Sequence, residues 1–250
     1  KVILVPGGSG GLGAATVALL AREGAKVVVG YHSNRARAEQ LADSLNQRGA
    51  GKVICVEGDL RELAARERLV EQAASLTGEI YGLVNFLGDP ARVEFAALDE
   101  ARMTEAFQVN YFAPVLLAKR VGEHMLAKKV AGSIVFLATM QAVAAFEGSL
   151  NYAGPKTALV QAARIFAKQW GGRAGIRVNV VAPGVSMAGM AQASIETGKY
   201  DPYIRSDTIA RFGRPEDVAR VIRLLLEPDN YITGQVITVD GGLTLRRDRG

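Results

Sequence analysis

A glycine-rich turn near the start of the chain constrains the fold more than any other feature. The apolar, β-branched run 2–5 predicts a buried strand, and an Ala- and Leu-rich stretch that reaches Glu23 predicts a helix. Between them lies Pro6-Gly-Gly-Ser-Gly-Gly-Leu-Gly13. Glycines let the backbone approach a pyrophosphate, and a helix N-terminus offers it free N–H groups and a positive dipole end. A flexible turn could have the same composition, but its place between strand and helix favours a dinucleotide-binding unit.

Strand-like and helical segments alternate along the chain. Predicted strands cover residues 1–5, 25–30, 52–56, 80–86, 132–138, 176–182 and 235–239, and predicted helices lie near 11–23, 35–48, 61–76, 99–128, 151–170 and 215–226. Most strands are apolar on both faces, as in parallel sheets covered by helices. We therefore expect one catalytic domain over residues 1–250, an α/β fold with a Rossmann-like doubly wound parallel sheet of about seven strands and helices on both faces.

Composition and charge exclude several classes of protein. The one cysteine, Cys55, excludes an internal disulfide and fits a reducing compartment, so we expect a cytoplasmic protein. It lies in an apolar strand-like segment, where inert packing is the expected role. No apolar run approaches the ~18 residues of a membrane span. The net charge of +5 is modest, and the basic cluster 246–249 is too short and mixed to indicate nucleic acid binding. No metal site is predicted.

Polar and glycine residues follow the predicted strands. In a parallel sheet of this kind, ligands bind beyond the carboxyl ends of the strands, so these residues should converge in space. They are the segments 7–13, 31–35, 59–60, 85–88 and 183–184, together with Thr139.

Tyr152 and Lys156 lie four residues apart in Asn-Tyr-Ala-Gly-Pro-Lys, a spacing that places them on one face of a helix. An ammonium beside a phenol favours the phenolate, so we expect the tyrosine pKa to fall below its usual value of about 10. Such a phenol could donate a proton to a carbonyl oxygen near neutral pH. Pro155 between them is expected in the first helical turn, where a missing N–H leaves no intrahelical acceptor unpaired.

These motifs together resemble the short-chain dehydrogenase/reductase family, and within it the 3-oxoacyl-(acyl-carrier-protein) reductase-like members. The resemblance covers essentially the whole chain, including the closing segments 211–219 and 232–242. It implies that Asp59 bonds the adenine of a nicotinamide cofactor. The other residues that it assigns to the cofactor are Gly7, Ser9, Gly11, Leu12, Gly13, Leu60, Asn85, Gly88, Tyr152, Lys156, Pro183, Gly184 and Ser186.

The resemblance also implies a catalytic set. Tyr152 would be the general acid in reduction and the base in oxidation, and Lys156 would lower its pKa and hold the nicotinamide ribose. The hydroxyl of Thr139 would position the substrate oxygen. Asn110 would support a water that relays protons.

Four departures from the family pattern occur at or near these positions. Thr139 stands where serine is usual, which keeps the hydroxyl and adds a methyl group. Pro6 replaces a threonine, and Phe86-Leu87 replace Asn-Ala; we interpret these two as a paired structural replacement. Ala188 replaces a threonine that bonds the carboxamide, a role for which Ser186 is the candidate substitute. None of the four removes the proton donor, its lysine or the asparagine.

The segment Gly30-Tyr-His-Ser-Asn-Arg35 bears on the choice of cofactor. It lacks the acid that holds both ribose hydroxyls in NAD-preferring relatives, and Ser33, Asn34 and Arg35 could face a 2′-phosphate. NADP(H) is therefore predicted, with NAD(H) as the alternative, although Gly10 stands where many NADP-binding relatives carry a basic residue. In the other interpretation, Asn34 caps the next helix and Arg35 is solvated. His32 is expected at the polar rim of the site.

The segment 186–205 is predicted to be a lid over the substrate. The substrate stays open among β-ketoacyl thioesters, small ketones and secondary alcohols. The apolar stretches 111–117 and 157–166 pack on the sheet, and by analogy with relatives they also form the interface of a homotetramer, with a dimer next.

Three functions follow from these observations. The first is an NADP(H)-dependent carbonyl reductase or alcohol dehydrogenase. The second is a nucleotide-binding sensor or partner subunit with little redox activity. The third is an isomerase or dehydratase on the same fold, since a fold alone does not determine a function.

Overall fold

The computed structural model describes residues 1–49 and 51–245. The basic cluster 246–249 lies outside these residues. Within them, seven parallel strands form one sheet in the order β3-β2-β1-β4-β5-β6-β7. The strands are β1 (Val2–Pro6), β2 (Lys26–Tyr31), β3 (Lys52–Glu57), β4 (Gly82–Asn85), β5 (Ser133–Leu137), β6 (Arg177–Pro183) and β7 (Val236–Val239). The predicted fold class is confirmed.

Helices cover both faces of the sheet. They are α1 (Gly11–Arg22), α2 (Arg35–Gln47), α3 (Leu63–Ala74), α4 (Glu100–Phe107), α5 (Ala113–Lys128), α6 (Leu150–Gly171), α7 (Gln192–Glu196), α8 (Asp201–Arg205) and α9 (Pro215–Leu226). One apolar core lies under α3, α5 and α6, and a second lies under α1, α2 and α9. A smaller third core joins the segment 186–205 to Met140 and Leu243. The strand order reverses between β1 and β4, which is where such sheets bind ligands.

The segment predicted as a helix over residues 99–128 is helical from 100 to 128, but a π-helical turn at Gln108–Phe112 separates the α-helices α4 and α5. Two residues prevent a regular α-helix there. The side chain of Asn110 donates to the carbonyl of Ala106 (3.1 Å), the acceptor that an α-helix would use for the backbone N–H of Asn110. Pro114 has no N–H with which to close the next such bond, to the carbonyl of Asn110. Turns of this kind are frequent at functional sites.

The predicted place of Pro155 in the first helical turn is wrong. Helix α6 begins at Leu150, and the amide of Ala153 already bonds to the carbonyl of Ser149 (2.7 Å). Pro155 therefore lies in the second turn, where its missing N–H would have bonded the carbonyl of Asn151.

Helices α5 and α6 meet where a glycine faces an aromatic ring. A Cβ on Gly122 would lie 2.5 Å from the ring of Trp170, which stacks on Phe166 with ring centroids 4.4 Å apart. The absent side chain lets the two helices approach closely enough to bury the tryptophan.

Replacing Gly122 with alanine should therefore destabilise the protein. We expect the free energy of unfolding to fall by about 1–3 kcal/mol, because the new methyl group overpacks the site. Gly154→Ala in α6 is the matched control, since a Cβ there meets nothing within 4 Å. It should stabilise the protein by about 0.5–1 kcal/mol through helix propensity. Urea unfolding of both variants measures the difference, and equal effects would contradict the packing argument.

Candidate active site

The glycine turn between β1 and α1 is closely packed and presents bare backbone. Gly7 has φ +74°, and a Cβ on it would lie 3.0 Å from the carbonyl oxygen of Phe86. A Cβ on Gly8 or Gly13 would lie 2.7 Å from backbone atoms. Gly10 precedes α1 and supplies no side-chain cap to its first N–H groups. The turn therefore fits a pyrophosphate, because uncapped amides and the positive end of the helix face the same space.

The unusual residues Pro6 and Phe86 lie next to each other. The amide of Phe86 donates to the carbonyl of Pro6 (3.0 Å), so a main-chain bond joins the turn after β1 to the turn after β4. Asn85 shapes the second turn, since its side chain accepts from the amide of Leu87 (3.1 Å) and donates to the carbonyl of Pro114 (3.2 Å). Because the bond between the two turns uses main-chain atoms alone, the interpretation of a paired structural replacement stays a prediction.

Gly88 brings Lys156 and Asn110 together. A Cβ on Gly88 would lie 3.0 Å from both the Lys156 Nζ and the Asn110 Oδ1. The fully buried ammonium of Lys156 donates to the carbonyls of Leu87 and Leu137, each at 3.0 Å. The ends of β4 and β5, the π-helical turn and α6 thus meet at one point.

The phenol of Tyr152 lies on the same face of α6 as Lys156, whose Nζ is 6.0 Å from the centre of its ring. Thr139 lies at the end of β5, where its buried hydroxyl accepts from the amide of Gln141 (3.3 Å). Helix α6 packs against Met140–Ala142, the short turn that follows Thr139. Tyr152, Lys156 and Thr139 thus lie on elements that pack together near the end of β5.

The expected lowering of the Tyr152 pKa is wrong in this arrangement. Burial raises the pKa of Tyr152 to about 12, and the negative charge of Asp89 acts in the same direction. Burial also lowers the pKa of Lys156 to about 7, which weakens the cation that would have favoured the phenolate.

The ends of β2 and β3 form the other side of the site. Asn34 accepts from the amide of Arg37 (3.0 Å) and so caps α2, as the alternative interpretation holds. Arg35 is not simply solvated, because it forms ion pairs with Glu57 and Glu39. Asn34 and Arg35 are therefore both engaged by other groups of the protein. The guanidinium of Arg37, in contrast, approaches the glycine turn and would lie 3.9 Å from a Cβ added to Gly10.

Asp59 lies beyond β3 with its carboxylate bound to Arg61 at 2.6–3.0 Å, which lowers its pKa. The Nε2 of His32 is 3.9 Å from it, on an exposed ring that fits the predicted polar rim. The buried Arg66 donates to the carbonyls of Leu60 (2.8 Å) and Arg61 (2.7 Å) and so holds this loop in place.

The end of β6 packs against both the glycine turn and the C-terminal segment. Gly184, which follows Pro183, packs closely against Asp240: a Cβ added to Gly184 would lie 2.6 Å from the Cβ of Asp240. The buried hydroxyl of Ser186 donates to the carbonyl of Gly184 (3.3 Å). Its role as a substitute for the missing threonine stays a prediction. A Cβ added to Gly11 would lie 2.6 Å from the Cβ of Ala188, so the segment that contains Ala188 packs directly on the glycine turn.

The remaining predicted cofactor residues line the same edge of the sheet. Ser9 and Leu60 are buried, Leu12 is half-buried and Ser33 is exposed.

Cys55, in the edge strand β3, is half-buried rather than buried, and its thiol donates to the carbonyl of Ala38 (3.2 Å). Burial raises the pKa of this thiol to about 11, which favours the inert role.

Sequence reasoning missed Arg37 and Asp89. Asp89 directly follows Gly88, and its amide donates to the Asn110 Oδ1 (3.1 Å). An acid placed just after the end of a strand was a signal that could have identified it. Arg37 lies in the first turn of α2, and only the packing of that helix brings it to Gly10.

Comparison with known proteins places the chain in a family. The family model described as enoyl-(acyl carrier protein) reductase matches residues 7–244. The 3-oxoacyl-(acyl-carrier-protein) reductase of Thermotoga maritima is 32% identical over 98% of each chain. The 7alpha-hydroxysteroid dehydrogenase of Bacteroides fragilis is 32% identical over 98% of this chain and 95% of its own length.

The chain belongs to the short-chain dehydrogenase/reductase family. A solved short-chain dehydrogenase/reductase of Serratia marcescens is 32% identical, covers 98% of each chain and superposes with a TM-score of 0.87. Members of this family are oxidoreductases that bind a nicotinamide cofactor. Among the residues that the structure describes, no helix is both long enough and apolar enough to cross a membrane.

The buried Lys156 should make stability depend on pH. Its pKa is about 7 in the folded protein and near the ordinary 10.5 in the unfolded chain. Between these values the unfolded chain binds more protons, so this contribution to stability is complete above pH 10.5 and is lost as the pH falls to 7. The free energy of unfolding of the wild type, measured relative to Lys156→Met, should therefore rise over this range. Parallel curves would contradict the assignment.

Proposed function

We propose that the protein is an NADP(H)-dependent reductase of carbonyl compounds, or dehydrogenase of the corresponding secondary alcohols, with Tyr152 as general acid and base. The observation that carries the proposal is the meeting of Lys156 and Asn110 at Gly88, beside Tyr152 and the glycine turn. A proton donor and a dinucleotide cradle at one sheet edge are what a carbonyl reduction needs.

The chain has a cradle that suits the cofactor. The turn 7–13 would hold the pyrophosphate, because it leaves the first N–H groups of α1 without a side-chain cap and places the positive end of the helix beside them. The loop that begins at Asp59 would hold the adenine, and the segment 183–188 would border the nicotinamide. When bound, the cofactor supplies or accepts the hydride.

The residues of the chain would donate the proton and orient the substrate and the cofactor. In reduction, the hydroxyl of Tyr152 donates its proton to the substrate oxygen as negative charge develops there. Thr139 hydrogen-bonds the same oxygen and orients it. Lys156 holds the cofactor ribose with the N–H that Leu87 and Leu137 leave unused, since an ammonium has three donors. Asn110, in the π-helical turn, would support a water that relays protons.

Tyr152→Phe tests the enzymatic proposal. The change should lower kcat for reduction of a ketone or β-ketoacyl thioester by roughly 100- to 10,000-fold, because it removes the general acid. NADPH should still bind, because the glycine turn and Lys156 are left intact. Tyr231→Phe is the matched control, as Tyr231 is fully exposed and precedes β7 at the opposite edge of the sheet. Full activity of Tyr152→Phe would exclude the assigned role.

The preference for NADP(H) now depends on Arg37 more than on Arg35. Arg35 is engaged by Glu57 and Glu39, whereas no ion pair within residues 1–49 and 51–245 involves Arg37. Its guanidinium comes from α2 to the side of Gly10, where the basic residue of many NADP-binding relatives would project. A guanidinium suits a phosphate because it offers a fork of donors.

Arg37→Ala should weaken NADPH binding roughly tenfold and leave NADH binding unchanged, because only NADPH carries the 2′-phosphate. Arg48→Ala, at the other end of α2, is the charge-matched control and should change neither. Fluorescence titration of both cofactors measures the dissociation constants. Tighter binding of NADH than NADPH by the wild type, or equal weakening of both in Arg37→Ala, would overturn the preference.

A nucleotide-binding sensor is the second candidate. The raised pKa of Tyr152 and the absence of a hydroxyl at Ala188 favour it, since both concern the reacting end of the cradle. Tight NADPH binding without turnover on any ketone or thioester would select this function.

The assembly and the lid remain proposals as well. Phe112 and Leu116 near the start of α5, and Ile165 on α6, are exposed apolar side chains on the two helices expected to form a homotetramer. The lid 186–205 rests on the third core, through which Ile195 and Tyr203 pack near Met140, the residue after Thr139. We further propose that residues 1–250 act as one catalytic domain in the cytoplasm.

A further inference from the structure

We propose that Asp89 selects substrates that carry a hydrogen-bond donor, a hydroxyl or an ammonium group, close to the carbonyl carbon that is reduced. The inference rests on the proposed function, because it assigns a contact with the substrate in the same site. It concerns a residue that the catalytic set does not use.

The main chain of Asp89 is held against the catalytic residues. Its amide donates to the Asn110 Oδ1 (3.1 Å). The preceding residue, Gly88, is the one that packs against Lys156. Asp89 is therefore the first residue of the turn that leads away from the contact between Gly88, Lys156 and Asn110.

The turn is strained, and hydrogen bonds hold it. Ala91 has φ +47°, a left-handed conformation that residues with a Cβ rarely adopt. The Asp89 Oδ1 accepts from the amide of Ala91 (2.7 Å), and the carbonyl of Ala91 accepts from the side chain of Asn151 (3.0 Å). Asn151 immediately precedes Tyr152. Strain of this kind persists where the surroundings enforce it, and it is concentrated at functional sites.

The turn also reaches the segment predicted to cover the substrate. The guanidinium of Arg92 donates to the hydroxyl of Ser194 in α7 (3.3 Å). The turn that carries Asp89 is thus held by Asn110, by Asn151 beside the proposed catalytic tyrosine, and by the predicted lid. The carboxylate of Asp89 is exposed, and the bond that its Oδ1 accepts from the amide of Ala91 fixes it within this turn.

The chemistry of the carboxylate determines what it would bind. Oδ1 is used by the turn, while Oδ2 accepts no hydrogen bond from the part of the chain that the structure describes. Its charge reaches Tyr152, whose pKa it raises. A donor on the substrate would satisfy Oδ2 and offset this charge. An apolar substrate would remove water from the carboxylate and give nothing in return, which a site built for hydrogen bonding penalises strongly.

Three ketones of similar shape test the proposal: 2-methylcyclohexanone, 2-hydroxycyclohexanone and 2-aminocyclohexanone. With NADPH and the wild type, kcat/KM should be roughly 10- to 100-fold higher for the two donor-bearing ketones, as expected for a hydrogen bond to a charged group. Asp89→Asn keeps an Oδ1 acceptor for the turn and removes the charge. It should lose most of the preference, above all for the amino ketone. Glu94→Gln removes one charge from the same loop and should leave the preference intact.

Binding gives a second measurement that does not need turnover. Tyr152→Phe loaded with NADPH is titrated with the same three ketones, and nicotinamide fluorescence reports their dissociation constants. Tighter binding of the donor-bearing ketones supports the proposal even if Asp89→Asn does not fold. Equal dissociation constants, or binding of none of the three, overturns it. Selective binding without turnover by the wild type would instead defeat the proposed function alone.

Discussion

The close approach of the Gly88 backbone to Lys156 is the contact on which the site depends. A side chain at position 88 would meet both the Nζ of Lys156 and the Oδ1 of Asn110 at 3.0 Å. Because none is present, the ammonium reaches the carbonyls of Leu87 and Leu137 at the ends of β4 and β5. One buried cation thereby ties helix α6 to the carboxyl edge of the sheet, and so determines where the face that carries Tyr152 lies.

The burial that builds this contact also sets the charges of the site. Taking the ammonium out of water lowers the pKa of Lys156 to about 7, and burial of the phenol with Asp89 nearby raises the pKa of Tyr152 to about 12. The phenol therefore keeps its proton across the neutral range and is a weaker acid than a free tyrosine. The same two shifts mean that a spacing of four residues specifies proximity without specifying electrostatics.

Much of the fold could be predicted because apolar strands of a buried parallel sheet leave a strong pattern. The predicted strands agree with the observed ones to within one or two residues at their ends. The π-helical turn could not be predicted from periodicity, since it arises where the side chain of Asn110 and the missing N–H of Pro114 interrupt an otherwise helical segment. Asn34 could be assigned to two roles from sequence alone, and the structure shows it as a helix cap.

The sequence by itself determined the parallel α/β fold, the glycine turn and the pairing of Tyr152 with Lys156, because these depend on local pattern and spacing. Only the tertiary structure decided which arginines form ion pairs within the protein and which carboxylate acts on Tyr152. Arg35, the first residue of α2, is bound by Glu57 at the end of β3. Arg37 reaches Gly10 through the packing of α2, and the turn after Gly88 brings Asp89 to the candidate active site. Such contacts join residues that are distant in the chain, and the energies of charges depend on burial and neighbours that no local pattern records.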